Sequence, residues 1–453
     1  MPNRAELLKQ KFETSVGLPL VEVLAEEWIQ QVLEEAGVGQ RESIYTPMVT
    51  LWAWLSQILD PDKSLQNTVN RIVSWLVEAG LKVPSRDTGA YSKARQRLPV
   101  SVIEQVFLES AQALQAHNPP ENQWCGRRVL AYDGTSVTLM DTPANQAKFP
   151  QHSNQKTGCG QPIARLVVWF CLTTGAIVQV ALSGFLVSEW ELSRSLYSGL
   201  SPGDVGLADS AYGTYADMAL IQQSGADGVM RKHQARATDF RRGKRLGQGD
   251  HLVTWSRPQQ SALSPEELAS LPETLTVREV CFQVEKPGFR SQKIILVTTL
   301  LDAQQYPKAQ LAALYRLRWT ATEVNLRHLK TTLKMEMIYA KTPEIVTKDL
   351  WMHLLAYNLL RLLMLQSARR TQVDALRLSL QGTRQMFNQF RTLFAACRQR
   401  ERQRLYDSLL LLLGQDLVPL RPDRVEPRVL KRRPKNFPRM QLPRQFLKLK
   451  LIA

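Results

Sequence analysis

The sequence predicts an α/β core interrupted by a β-rich insertion, with a helical N-terminal region and a helical, basic C-terminal region. Three observations carry that prediction. From about 125 to 232, short β-branched and aromatic runs alternate with helical segments, the rhythm of an α/β domain. Between about 234 and 300 the rhythm breaks into the strand-like runs HLVTW, LTVREVCFQV and KIILVTTLL. On both sides of these regions, apolar residues recur at three- and four-residue spacing, the period of a helix.

In the N-terminal region, 1–120, VEVLAEEWIQQVLEEAG and YTPMVTLWAWLSQIL read as helices, and Gly37 closes the first. RDTGAYSKARQRLP places Arg86, Lys93, Arg95 and Arg97 beside Tyr91. On a short helix these charges either track phosphates or form an ordinary solvated face. RRVLAYDGTSVTLMD is apolar up to Asp133 and then alternates, which predicts a strand, a turn and a second strand. LVVWFCLTTGAIVQVALSGFLV, residues 166–187, has the length of a membrane span. Thr173-Thr174-Gly175 in its middle and its β-branched flanks predict two strands and a turn instead, and no membrane is expected.

EWELSRSLYSGL reads as a helix, GDVGLADSAYG as a short strand ending at Asp209, YADMALIQQSGA as a helix and ADGVMRKHQ as a strand. The core is expected over 125–345, and ARATDFRRGKRLGQGD opens the insertion at 234–300. A helical run resumes near 307 and continues through LWMHLLAYNLLRLLML, giving C-terminal helices over 346–420. The tail, 421–453, holds eleven Lys and Arg against two acids and many prolines, so it is expected to be extended along a polyanion or disordered without one.

The charge narrows the partners. A net charge of +17 points to nucleic acid or an anionic membrane surface. Five scattered cysteines with no CxxC pair, and an N-terminus without an apolar h-region, predict a reduced cytoplasmic compartment and no signal peptide. Six histidines without HxxxH spacing offer no zinc site.

Three carboxylates stand out: Asp133 and Asp209 at expected strand ends, and Glu323 on a later helix. Each has a plain structural reading, the aspartates as turn or N-cap residues and Glu323 as part of a Thr320-x-x-Glu323 capping box. The surroundings of Glu323 argue otherwise. YRLRWTATEVNLRHLK, Tyr315 to Lys330, sets this one acid among Arg316, Arg318, Arg327, His328 and Lys330. A polyanion-binding surface has little use for a carboxylate unless a cation needs it. Strand-end and helix carboxylates can converge on a pair of hard divalent cations, which suit phosphoryl transfer.

Several ordered motifs, YDGTSVTLMDTPANQAKFPQ, QKTGCGQPIARL, GDVGLADSAYGTY, RRGKRLGQGDHLVTW and YRLRWTATEVNLRHLKTTLKM, continued by AKTPEIVTKDLWMHLLAYNLLR, together resemble the bacterial DDE transposases of the "insertion sequence four" family. The resemblance runs from about Arg127 to Arg433. It implies a ribonuclease H-like core with a β-strand insertion, which accounts for the more than one hundred residues between Asp209 and Glu323. It implies that Asp133, Asp209 and Glu323 hold two Mg²⁺ ions, with Mn²⁺ as a substitute. The enzyme would cut element ends and join them to target DNA, with a hairpin intermediate in some relatives. It would act as a homodimer on double-stranded DNA, associated with the bacterial nucleoid.

Tyr315, Arg318 and Lys330 would contact phosphates, with Arg316 and Arg327 as further DNA contacts, and Lys156, Arg231, Lys232 and His233 either meet DNA or are solvated loop charges. Trp255 stacks on a flipped base or belongs to the core, and His328 lies at the surface or on the DNA backbone. A catalytically weak or domesticated end-binding protein of the same fold is the alternative. A sugar-kinase-like ATPase using the DGT loop lacks a second glycine-rich phosphate motif.

One departure is testable in the fold. The family spacing is Tyr-x2-Arg-x3-Glu-x6-Lys, whereas four residues separate Arg318 from Glu323. In an unbroken α-helix Arg318 would lie about 140° from Glu323, instead of the usual about 40°. Arg316 and Lys330 would each lie within about 20° of it. Either a π-bulge or break within Trp319 to Thr322 absorbs the extra residue, Arg316 replaces Arg318, or the signature is damaged.

Overall fold

An alternating apolar pattern carries β1, Val129–Leu139, straight through the DGT sequence as one eleven-residue strand. The computed structural model describes residues 3–452 except 21–23, 40–42, 117, 119, 260–262, 285–291 and 421–439. The turn expected at Asp133-Gly134-Thr135 is absent because β2, Ile163–Cys171, pairs antiparallel with β1 from Leu130 to Thr138. A strand with a partner along its whole length satisfies its backbone groups without turning.

β3 (Ile177–Gly184) returns antiparallel to β2 after the turn around Gly175, whose φ of +67° suits glycine. β4 (Val205–Ala208) lies parallel to β1, and β5 (Asp227–Arg231) parallel to β4. The order β3-β2-β1-β4-β5 is the ribonuclease H-like core. The insertion extends this same sheet. Its strands are β6 (Lys244–Gly247), β7 (Asp250–Ser256), β8 (Thr274–Val284) and β9 (Gln292–Thr298), and β9 pairs antiparallel with β5. The last strand, β10 (Met337–Ile338), lies parallel to the end of β1 and interrupts the helical run expected from 307.

The N-terminal helices are α1 (Arg4–Phe12), α2 (Glu26–Glu35), α3 (Pro47–Leu59), α4 (Leu65–Glu78), α5 (Gly89–Arg97) and α6 (Val100–Ala116). In the core, α7 (Pro143–Lys148) follows β1, α8 (Glu189–Leu196) follows β3, and α9 (Tyr215–Gln223) follows β4. The insertion carries α10 (Pro265–Ser270). Beyond the insertion come α11 (Lys308–Trp319), the short α12 (Asn325–Arg327) and α13 (Pro343–Thr371). α14 (Leu380–Ala396), α15 (Gln399–Leu413) and α16 (Arg444–Ile452) complete the chain. The tail expected to be extended thus includes a helix, and 421–439 falls outside the described residues.

Alternation along β1 divides the packing. Leu130 and Tyr132 join the cluster of α8 and α9, whereas Val129 and Ala131 join that of α11. α13 is apolar on nearly every side because it lies inside a third cluster, shared by the N-terminal helices, α14 and α15. No described helix is long and apolar enough to cross a membrane.

A π-turn at Glu13–Gly17 ends α1 and half-buries Glu13, and burial with Glu26 and Glu6 nearby pushes its carboxyl up to about 7 against an opposing Lys9. The folded state therefore favours the protonated acid. Its contribution to stability is greatest below the unfolded value of 4.5 and is lost as pH rises towards 7. Glu13→Gln is expected to melt above wild type at about pH 8 and to match it near pH 4 in thermal denaturation.

Candidate active site

Register brings the two aspartates together. In the parallel pair, Ala131 lies opposite Leu207, and two residues further on, past the end of β4, come Asp133 and Asp209. Neighbouring strands are about 4.8 Å apart, so these positions are side by side on the face towards α11. Such a crevice at the carboxyl ends of parallel strands is a common place for a site in open α/β sheets. Asp133 is in mid-strand rather than at a strand end; it is β4 that stops. Asp209 caps the short 3₁₀ turn Ser210–Tyr212, its Oδ1 accepting the Ala211 N–H at 2.7 Å.

Glu323 arrives from the other side. The extra residue between Arg318 and Glu323 is absorbed by a π-turn, Thr320–Val324, that packs against β1. A π-turn closes i→i+5, so residues five apart stack much as residues four apart do in an α-helix. Arg318 is directed inwards: its Nη1 lies 3.7 Å from Asp133 Oδ2, and its guanidinium carbon 5.7 Å from the Tyr315 ring centre. Arg316 is exposed. A second π-turn, His328–Thr332, carries Lys330.

Asp133, Glu323, Arg327 and Lys330 line one open cleft. Burial pushes the Asp133 carboxyl up to about 6, and the negative charges of Asp209 and Glu323 add to this against the Gly134 N–H and Arg318. Tyr315, mostly buried, has its phenol pushed up by burial, with Arg318 and Arg231 opposing and Asp209 reinforcing. The three acids, Tyr315 and Arg318 thus share one electrostatic neighbourhood. Among the described residues, no three His, Cys, Asp or Glu side chains already stand close enough to hold a metal ion.

Other expected contacts lie elsewhere. Lys232 is a correction: it is buried, with Nζ 3.0 Å from both Glu279 oxygens, because a carboxylate deep in β8 requires a cation. Trp255 is a second. It is 4% exposed, its Nε1 donates to Glu279 Oε1 at 3.2 Å, and Arg236 lies over its ring, so no face is open to a base. His328 is held neutral, its pKa lowered to about 3 by burial and the charges of Arg361 and Arg327. Arg95 is buried against Trp54 and pairs with Asp349, leaving Lys93 and Arg97 exposed on α5. Lys156 is exposed in the loop before β2, and Arg231 is exposed at the end of β5. Glu189 and Glu336 also line the cleft, and sequence reasoning missed both; neither lies in a recognisable motif.

Comparison with known proteins adds to this geometry. A family model described as "Transposase DDE domain" matches residues 124–359, more than half of the chain. The chain belongs to the DDE transposase family. A second model, "Insertion element 4 transposase N-terminal", matches residues 15–108 of the transposase. It is 28% identical over 437 residues to the transposase InsG for insertion sequence element IS4 of Escherichia coli (strain K12), covering 94% of this chain and 93% of that protein. The putative transposase InsZ of the same strain is 23% identical over 234 residues, 50% of this chain and 76% of that protein. Among solved structures, a piggyBac transposase synaptic complex with hairpin DNA aligns over 91% of this chain and 88% of that one, at 11% identity and a TM-score of 0.44. The transposase is thus a DNA phosphoryltransferase.

Proposed function

We propose that this transposase cuts the ends of its own mobile element and joins them to target DNA, with Asp133, Asp209 and Glu323 as the ligands of divalent cations. The observation that carries the reading is the parallel register that aligns Asp133 with Asp209, with the Glu323 π-turn packed against the same strand. The donor set fits Mg²⁺, with Mn²⁺ as a substitute: it is all oxygen, and its charges oppose one another until a cation is shared among them. A bound pair of such ions supplies an activated water and stabilises charge on the phosphoryl oxygens.

The chain's own residues do the rest. Lys330 and Arg327, in the same cleft, hold phosphates of the strand being cut. Arg318 balances Asp133 and is placed to take a phosphate, with Tyr315 fixing its plane. In cleavage a water oxygen bonds to phosphorus while the bond to the 3′ oxygen breaks, leaving a 3′-OH on the element. In joining, that 3′-OH attacks a target phosphorus in the same way. Lys156 and Arg231 serve as outer phosphate contacts, the helical region 1–120 and the basic segment 421–453 grip flanking DNA, and two copies pair two ends. The setting is bacterial nucleoid DNA in the cytoplasm.

The test is cleavage of a labelled duplex bearing the element's terminal inverted repeat. The wild type is expected to cut with Mg²⁺ or Mn²⁺ and to stop with EDTA. Specific binding with no cutting under any cation would instead identify an end-binding protein of the same fold.

A further inference from the structure

Gly134 directly follows Asp133 in β1 and occupies the strand's opposite face, which looks towards α8. A Cβ built on Gly134 would lie 2.5 Å from Glu189 Cδ and 2.6 and 2.9 Å from its two oxygens. The Glu189 carboxylate therefore rests against the β1 backbone beside Asp133, in space that any larger residue at 134 would occupy. β4 ends at Ala208, so no strand separates the two faces of the sheet at this level. Asp133, Gly134, Glu189 and Glu323 all line one cleft.

A second observation comes from Tyr212, in the turn that Asp209 caps. Its side chain is fully buried, and its hydroxyl has no hydrogen-bond partner among the described residues. Burial pushes its phenol up, and the negative charges of Glu189, Asp133 and Asp209 add to this. A fully buried phenol without a partner among the described residues, in the turn that Asp209 caps, marks a place where a ligand or its water completes the bonding.

We propose that Glu189 is a fourth carboxylate of this site, giving an oxygen to a divalent cation shared with Asp133, while the Tyr212 hydroxyl bonds to the cation's water. The proposal rests on the assignment of Asp133, Asp209 and Glu323 as cation ligands. The competing role for Glu189 is structural: it sits in the first turn of α8 and lies 3.8 Å from Arg165. That contact is long, and the Glu189 side chain is 43% exposed, so the ion pair contributes little.

Mn²⁺ binding to the full chain, read from the electron paramagnetic resonance signal of the free ion, separates the roles without relying on activity. Glu189→Gln is expected to weaken binding at least about tenfold. Gly134→Ala, which displaces the carboxylate without removing it, should weaken binding in the same direction. Arg165→Gln, which removes the ion pair together with the Arg165 bond to Val187 O and its contact with the Phe185 ring, should bind as wild type. If Glu189→Gln and Gly134→Ala bind Mn²⁺ as wild type while Asp133→Asn does not, Glu189 is overturned as a ligand and the three-acid assignment stands. If Asp133→Asn also binds as wild type, both fall. Loss on Arg165→Gln equal to that on Glu189→Gln would make Glu189 a structural residue.

Discussion

Alanine at Asp133, Asp209 or Glu323 is expected to reduce cleavage of an element end by at least about 10³-fold, with end binding within about twofold of wild type. The size follows from the chemistry: losing a cation ligand removes several kcal/mol of charge stabilisation in the transition state, and each 1.36 kcal/mol is about tenfold in rate. The three losses should not add, because the acids act as one unit, and any double variant should be about as inactive as a single one. Stability gives an independent check. The Asp133 carboxyl is already pushed up to about 6 by burial and by its acidic neighbours, so its ionised form is disfavoured in the fold. Asp133→Ala should therefore melt at or above wild type near neutral pH, a cost of function to stability that is common at catalytic sites. Gel-shift, single-turnover cleavage and thermal melting on the same preparations would check all three statements. Wild-type cutting by the Glu323 variant would remove Glu323 from the site.

Arg318→Ala is expected to slow cleavage by about 10–100-fold, the effect of losing a hydrogen bond to a charged group, and Arg316→Ala by less than about threefold. The order depends on one local feature. Without the π-turn at Thr320–Val324, Arg316 would share the face of Glu323, and Arg318 would point away from it. With the turn, Arg318 reaches Asp133 at 3.7 Å and Arg316 is exposed. Arg318→Lys should recover only part of the loss, because an ammonium cannot reproduce the planar fork that a phosphate engages. Measured single-turnover rates in the opposite order would mean that the π-turn opens when DNA binds, and that Arg316 faces the phosphate.

Much of the core could be read without coordinates because its signals are local. The turn at Thr173-Thr174-Gly175 separates β2 from β3, the run GLAD ends β4 one residue before the expected Asp209, and the strand-like runs of 250–298 became β7, β8 and β9. The extra residue in RWTATE was visible as a spacing, and a helix offers few ways to absorb one residue. The failures were non-local. DGT is a turn signal only when no partner strand is present, and β2 is present along its whole length. Lys232 looked like a DNA contact because its partner, Glu279, lies 47 residues away on β8. Glu189 carried no signal, since its significance depends on the missing side chain at Gly134 and on β4 stopping early.

Neighbours along the chain were enough for most helix and strand segments, though not for β10 or α16, and for the order of the motifs, the three candidate acids and the one-residue departure in the signature. Only the tertiary structure decided that Asp133 and Asp209 lie side by side, that Arg318 rather than Arg316 meets them, and that Trp255 and Lys232 are sealed inside. Those outcomes depend on strand register, on a π-turn packed against β1 and on the burial of one distant carboxylate, all of which are relations between segments that meet only when the chain folds.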